Sequence, residues 1–452
     1  MNFKNKLDIL DTTLLDYNNQ ISLLEYQETK EKIDLSKEIQ QVYQNLESLY
    51  SSIDLKELAI TTHEDPLTKK KAQHLTELIL FSRIENHQEI HDIRNQVKIE
   101  LRKLNYMDTL NVLMINPDQE QRKKAIDQVA DLCKKNHELL KEFIQIHNRI
   151  AQQNGFKDYA QAKLESEGLS DSIFIRYYQK LNKKFSPHSL SGKEPCDLYF
   201  QLGKTKNNIQ IPDFDSQLLM INLFSDLGLP LSNLPIRIEW EDLDFSGACF
   251  RVSVGKDIRL IINKNLSGLS SLHYLLHEIG HAVYYCFCPR NSELLIDNHI
   301  SREIMADIWT QFLKDKTFLT KYLDMDSESV QKYLNMSEAY ERLSQLIQIR
   351  DSIFIYEAFK NPMISLPQIW QKVSKEWLDV TDNSGAFDVF DFFNPLDSKS
   401  YVFASDLSWR YFNNITNTGT HSFLSLDLLP TLTKDLYAPG STKKWTEKFE
   451  IT

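Results

Sequence analysis

From about Leu7 to Lys163, apolar side chains recur every three to four positions, the period of helices that each bury one stripe. Between Leu67 and Leu104 the stripe is Leu75, Leu78, Ile79, Phe81, Ile84, Ile90 and Ile93. Between Asp118 and Asn154 it is Ala125, Val129, Leu132, Leu139, Leu140, Phe143 and Ile146. Asn116-Pro117-Asp118 supplies a cap between the two stretches, and Thr62-His63-Glu64-Asp65-Pro66 a capping turn before the first. Only 12 Gly and 13 Pro punctuate the 452 residues, so few turns are expected. Several long antiparallel helices are the simplest arrangement.

The texture changes near Ser170. Ser-Pro at 186–187, Ser-Gly at 191–192 and Ile-Pro-Asp at 211–213 break the chain into shorter pieces. Ile236–Trp240 alternates apolar and polar residues, and Ala248–Val252 and Ile258–Ile262 follow on either side of Gly255-Lys256-Asp257. These three runs predict a small antiparallel sheet. After Leu294 the helical pattern returns to about residue 415, and the remainder reads as polar loop. The expectation is one integrated unit of three regions: helices over 1–168, a central region with the sheet over 169–330, and helices over 331–452.

Composition removes several functional classes. The net charge is −11, and the run Lys69-Lys70-Lys71 sits among acidic neighbours as a solvated helix face, so a nucleic-acid partner is not expected. No window is apolar enough to span a membrane, and the first residues lack the apolar core of a signal peptide. Five cysteines at irregular spacing (Cys133, Cys196, Cys249, Cys286 and Cys288) do not form a disulfide framework. Reduced thiols in a cytoplasmic protein are expected.

The chemistry concentrates at His277-Glu278-Ile279-Gly280-His281, which follows the predicted strands immediately. On a helix, residues four apart share a face, so both imidazoles reach one ion. Glu278 stands beside the first ligand, where a carboxylate can take a proton from an attacking water and pass it on. The context raises the motif above chance: apolar residues surround it at helical period, and a further carboxylate follows. Glu303 lies 22 residues beyond His281 in Ser301–Phe312, with Asp307 four residues further on the same helical face. Glu303 is the expected third ligand and Asp307 the residue that orients a ligating imidazole. Glu293, Asp297 and His299 compete for the third position from the connection. One zinc per chain is the expected cofactor. His273 reads as a packed helical residue, and Cys286-x-Cys288 faces two directions, not one metal.

At these residues the chain resembles the helical zinc peptidases of the gluzincin group. The segment His277–Tyr285 is similar both to the oligoendopeptidase F and thimet oligopeptidase family and to angiotensin-converting enzyme. Glu303 with Asp307 resembles the converting-enzyme pattern. Ser246–Phe250 with Leu260-Ile-Ile-Asn263 resembles the segments before the oligopeptidase motif. Asn148–Tyr159 resembles a helix end found upstream in both families. The matches span about residues 148–312.

The resemblance implies a mainly α, helical clamshell with a small antiparallel sheet beside the active-site helix. Its substrates would be short unfolded peptides, bound along Gly247, Ala248 and Cys249 as an added strand. It also implies tyrosine donors to an oxyanion on a C-terminal helix. Arg410-Tyr411-Phe412 resembles the converting-enzyme run, which makes Tyr411 the first candidate and Arg410 a substrate contact; Tyr401 stands where a His is expected, and His421 is a weaker substitute. Peptide hydrolysis by a zinc peptidase is the function expected. A processing protease for one peptide and a non-catalytic, zinc-containing peptide-binding scaffold are the alternatives. Oligomeric state is not readable from the sequence.

Overall fold

The periodic stretches are helices in the computed structural model, which describes residues 3–59, 65–101, 106–416, 422–425 and 427–451. His421 and residues 62–64 of the capping turn lie outside them. Among the described residues, each of the two long stripes is broken at an asparagine. Pro66–Glu85 ends before Asn86, whose side-chain amide donates to Ser82 Oγ at 2.9 Å, and Gln88–Leu101 follows. Gln119–Lys135 ends at Asn136, whose amide donates to the Leu132 carbonyl at 3.0 Å, and His137–Gln153 restarts at once. At Asn136 a side chain that competes for a backbone carbonyl ends a helix that apolar periodicity alone would continue. The predicted cap forms: the Asp118 carboxylate accepts the Glu120 N–H at 2.9 Å.

The described residues form two compact units, one from 1–79, 210–331 and 403–452, the other from 80–209 and 332–402. In the second, Asn148–Tyr159 is a structural joint. Gly155 takes the left-handed conformation (φ +91°) that ends the helix, and the Phe156 N–H reaches back to the Ala151 carbonyl at 3.1 Å. Asn148 then bridges the turn, donating to the Phe359 carbonyl at 2.8 Å and accepting the Tyr159 N–H at 2.9 Å. Phe143, His147, Tyr159 and Phe359 pack their rings around this joint.

The first unit holds the sheet: β1 (Ile236–Glu241), β2 (Gly247–Ser253) and β3 (Asp257–Asn263). Its order is β1-β3-β2, with β2 antiparallel and β1 parallel to β3. The sheet is therefore mixed, not antiparallel as expected. The cause is the short link after β1, which carries the chain around the end of β3 instead of into a hairpin. The Asn263 side chain fixes that link by donating to the Leu243 and Phe245 carbonyls at 2.8 and 2.9 Å. This leaves β3, the most apolar strand, in the centre, with Ile258, Leu260, Ile261 and Ile262 buried.

Alternation along the strands separates two faces. Phe250 and Ile261 pack on Tyr26 of the N-terminal helix Phe3–Glu31, whose hydroxyl also donates to Glu239. Gly247, Cys249 and Ile262 point the other way, toward the helix Gly268–Phe287 that carries the metal motif. The segment after 427 is not loop, as its polarity led us to expect. It forms short turns, Leu428–Leu432, Thr433–Tyr437, Gly440–Thr442 and Trp445–Lys448, that bury Leu432, Leu436, Tyr437 and Trp445. Turns this short show no periodicity, so the sequence pattern hides their burial.

Candidate metal centre

Gly268–Phe287 is buried almost all round, with Leu275, Leu276, Ile279, Val283 and Tyr284 inaccessible to solvent. The chain then turns and comes back as the helix His299–Thr310, whose N-terminus Asn298 caps by accepting the Ser301 N–H. The two helices touch at Gly280. A Cβ there would lie 2.6 Å from both the Cα and the carbonyl oxygen of Ala306, so only glycine permits this approach. Sequence periodicity does not single out Gly280. A glycine costs about 1 kcal/mol inside a helix relative to alanine, and that cost was the available signal of close packing.

The approach brings His277, His281 and Glu303 together, one ligand atom of each within 4.8 Å of the others. Glu303 Oε2 stands 3.4 Å from His277 Nε2, and Oε1 stands 3.5 Å from His281 Nε2. Asp307, one turn beyond Glu303, meets His277 Nδ1 at 2.8 Å. There Nδ1–H donates to the carboxylate and Nε2 faces the other two groups, the orientation a ligating imidazole needs. Among the described residues this is the one such group. Two imidazole nitrogens and one carboxylate oxygen on packed helices form a donor set suited to a tetrahedral divalent ion with one position open.

The electrostatics follow from burial and mutual proximity. Burial pulls His281 down to about 3, partly offset by Glu303. Burial also opposes charge on His277, but Asp307 and Glu303 outweigh it and raise its pKa well above the usual histidine value. Burial raises Glu303, and the two imidazoles more than reverse this, holding it well below the ordinary carboxylate range. Glu278 is pushed up to about 6, chiefly by burial and then by the Glu303 charge, while His277 and the Cys249 N–H pull it back.

The other expected residues fall in different places. A Cβ on Gly247 would lie 3.6 Å from Glu278 Cγ and 3.0 Å from the Ile261 carbonyl, so the glycine keeps the space beside Glu278 open. Ala248 and Cys249 follow on β2, whose far edge pairs with no strand among the described residues. Tyr411 packs its ring edge-on to Phe449, and its buried hydroxyl has no hydrogen-bond partner among the described residues. Arg410 pairs with Asp406 at 3.0 Å. Tyr401 is 48% exposed near the start of the same helix, Ser398–Ile415. His273, expected to pack, is exposed on the motif helix.

Two competitors for the third position are held elsewhere. Arg251 clamps Glu293 through two hydrogen bonds at 2.8 and 2.9 Å, and Lys448 holds Asp297. The third, His299, lies 3.5 Å from Glu303 Oε1. Cys286 and Cys288 are free thiols whose pKa values burial raises to about 12.

No protein-family model matches the chain, and no curated protein matches it in sequence. Solved structures do match in fold. The carboxypeptidase of Pyrococcus furiosus superposes with a TM-score of 0.69 at 13% identity, over 100% of this chain and 95% of that one. The M32 carboxypeptidase from Deinococcus radiodurans R1 gives 0.62 at 12%, over 99% and 94%. A putative oligoendopeptidase F gives 0.63 at 14%, over 96% and 86%. The chain therefore shares the mainly α fold of these carboxypeptidases and of that oligoendopeptidase. The likeness to converting enzymes rests on the local residues alone. No helix among the described residues is long and apolar enough to cross a membrane.

Proposed function

We propose that this chain is a metallopeptidase that hydrolyses peptide bonds of short unfolded peptides, with one zinc held by His277, His281 and Glu303. The observation that carries this reading is the convergence of those three ligand atoms within 4.8 Å, with Glu278 next to the first in sequence, in a fold shared with metallopeptidases. When bound, the ion supplies Lewis acidity that polarises a substrate carbonyl and acidifies water. Asp307 keeps the His277 ring in the ligating tautomer. Glu278, with its pKa raised to about 6, is the general base: it accepts the proton of the attacking water and returns it to the leaving nitrogen.

The open edge of β2 at Gly247, Ala248 and Cys249 fits the backbone of an extended peptide, and Gly247 leaves room for it beside Glu278. Tyr411 is the candidate donor to the oxyanion because its hydroxyl is uncommitted. Tyr401 and Arg410 are the further candidates on that helix.

The test compares wild type with Glu278→Gln on a mixed peptide library, with bound zinc measured in parallel. The expected result is unchanged zinc and turnover lower by about a thousandfold or more. Equal cleavage by both proteins would remove Glu278 from the chemistry.

A further inference from the structure

The connection between the two ligand-bearing helices converges on one buried carboxylate. Asp297 precedes the cap of His299–Thr310, and its side chain is 2% exposed. It touches three elements. Its Oδ1 accepts the Ser301 hydroxyl at 3.1 Å, two residues before Glu303. Its Oδ2 accepts the Tyr284 hydroxyl at 3.1 Å, three residues after His281, and its own N–H donates back to that hydroxyl at 2.8 Å. Lys448, fully buried in the turn Trp445–Lys448, donates to both carboxylate oxygens at 2.8 and 2.9 Å and to the Leu436 carbonyl at 2.8 Å.

We infer that Asp297 and Lys448 are positioning residues of the metal centre, and that they set where Glu303 stands relative to His277 and His281. The inference rests on the metal-centre reading above. Its physical basis is the brace itself. Tyr284 fixes the motif helix one turn from His281, Ser301 fixes the return helix half a turn from Glu303, and Asp297 joins the two through one carboxylate. A carboxylate buried this deeply needs hydrogen-bonding and charged partners, and Lys448 meets both of its oxygens. Removing Lys448 takes two hydrogen bonds from the Asp297 carboxylate and leaves it buried without its partner, which loosens its grip on Ser301 and Tyr284. Ligating groups tolerate little displacement, and loss of a residue that orients them weakens metal binding by about 10- to 100-fold.

The second unit contains a matched control. Lys399 is also fully buried, donates to a carbonyl (Leu396, 2.8 Å) and pairs with a buried carboxylate, Glu167, at 2.6 Å. Lys448→Met and Lys399→Met therefore do the same chemical damage, one in the brace and one outside it.

The experiment measures zinc affinity by chelator competition, and the visible spectrum of the cobalt-loaded protein, for wild type and both variants, with far-UV circular dichroism to confirm folding. Lys448→Met is expected to bind zinc at least about tenfold more weakly and to shift the cobalt bands. Lys399→Met is expected to keep both within about twofold of wild type. Should Lys448→Met fail to fold, Asp297→Asn, which keeps the shape and removes the charge, carries the same expectation. Wild-type affinity and an unshifted cobalt spectrum in the folded brace variants would overturn the positioning role. Equal weakening by Lys399→Met would reduce it to general destabilisation and overturn it too. A wild type that binds no ion would instead bring down the metal centre, and this role with it.

Discussion

Both units bury charged side chains, but one cluster in the first unit resolves the cost differently from the ion pairs of the second. In the second unit the charges close on themselves: Lys399 meets Glu167 at 2.6 Å, Lys163 meets Asp397 at 2.8 Å and Arg350 meets Asp351 at 2.8 Å. The first unit holds closed pairs too, Lys448 with Asp297 and Arg251 with Glu293, but at its candidate metal centre two imidazoles and two carboxylates crowd together. Among the described residues, no Lys or Arg comes within ion-pair distance of Glu278 or Glu303. A buried ion pair is complete and needs nothing further. Convergent lone pairs without a fixed cation are incomplete, and a divalent ion completes them. Burial and shifted pKa values occur in both units, so neither alone marks a functional site; what sets the candidate metal centre apart from the closed pairs is that no Lys or Arg supplies a countercharge.

The largest effect expected from this contrast comes from cutting one carboxylate in each unit. Glu303→Ala should weaken zinc binding by about a thousandfold while the metal-free chain stays folded. Glu167→Ala should leave zinc affinity within a few-fold yet cost about 3–5 kcal/mol of stability, because it strands Lys399. Zinc competition and urea unfolding on the two variants check this, and a reversed pattern would dissolve the contrast.

A proton-linked effect in the second unit comes next. His147 is fully buried, and burial lowers its pKa from 6.5 to about 4, against the pull of Glu85 and the Phe143 carbonyl. The folded chain thus binds fewer protons than the unfolded chain between these values. Stability contributed by neutral His147 is present above about pH 6.5 and falls by about 3 kcal/mol as the pH drops through 4. Replacing His147 with Gln should flatten that slope in urea midpoints compared at pH 7 and 4.5. An equal slope in both proteins would place the acid sensitivity elsewhere.

Two glycines extend the comparison at a smaller scale. Gly280 packs on Ala306 at the candidate metal centre, and Gly203 packs still more closely on Met114 in the second unit. Alanine at either position should cost about 2 kcal/mol through overpacking. Only Gly280→Ala should also weaken zinc binding, because it separates the helix carrying Glu303 from the one carrying the histidines. Unaltered zinc affinity in Gly280→Ala would detach that contact from ligand placement.

The smallest effect expected is that of Asp307→Asn. It keeps the ring contact but loses the charge, and should weaken zinc binding by about tenfold, measured by the same competition. No change would make Asp307 a bystander.

What could be read in the sequence divides along the same physical lines. His277, Glu278 and His281 are legible because four residues on a helix fix their geometry locally. Glu303 is legible at one remove, through the helical pattern of Ser301–Phe312. The mixed sheet is not, because β1 and β3 become neighbours only after Asn263 folds the intervening link around the strand end. Lys448 is not legible either. It lies in a polar stretch without periodicity, and its partner is 151 residues away. Asp297 reads in the sequence as a rival ligand because it lies in the right connection, but its carboxylate is already held by Lys448. The residues of a site follow local spacing, whereas those that hold it in place follow long-range packing that no period encodes.

The most direct test of the account is the metal content of the chain, purified without chelator, equilibrated with zinc at neutral pH, freed of excess and read by elemental analysis. The account predicts one zinc per chain in the wild type and less than about a tenth of that in the folded double variant His277→Ala/His281→Ala. A wild type without zinc, or a double variant that keeps a full equivalent, would contradict it.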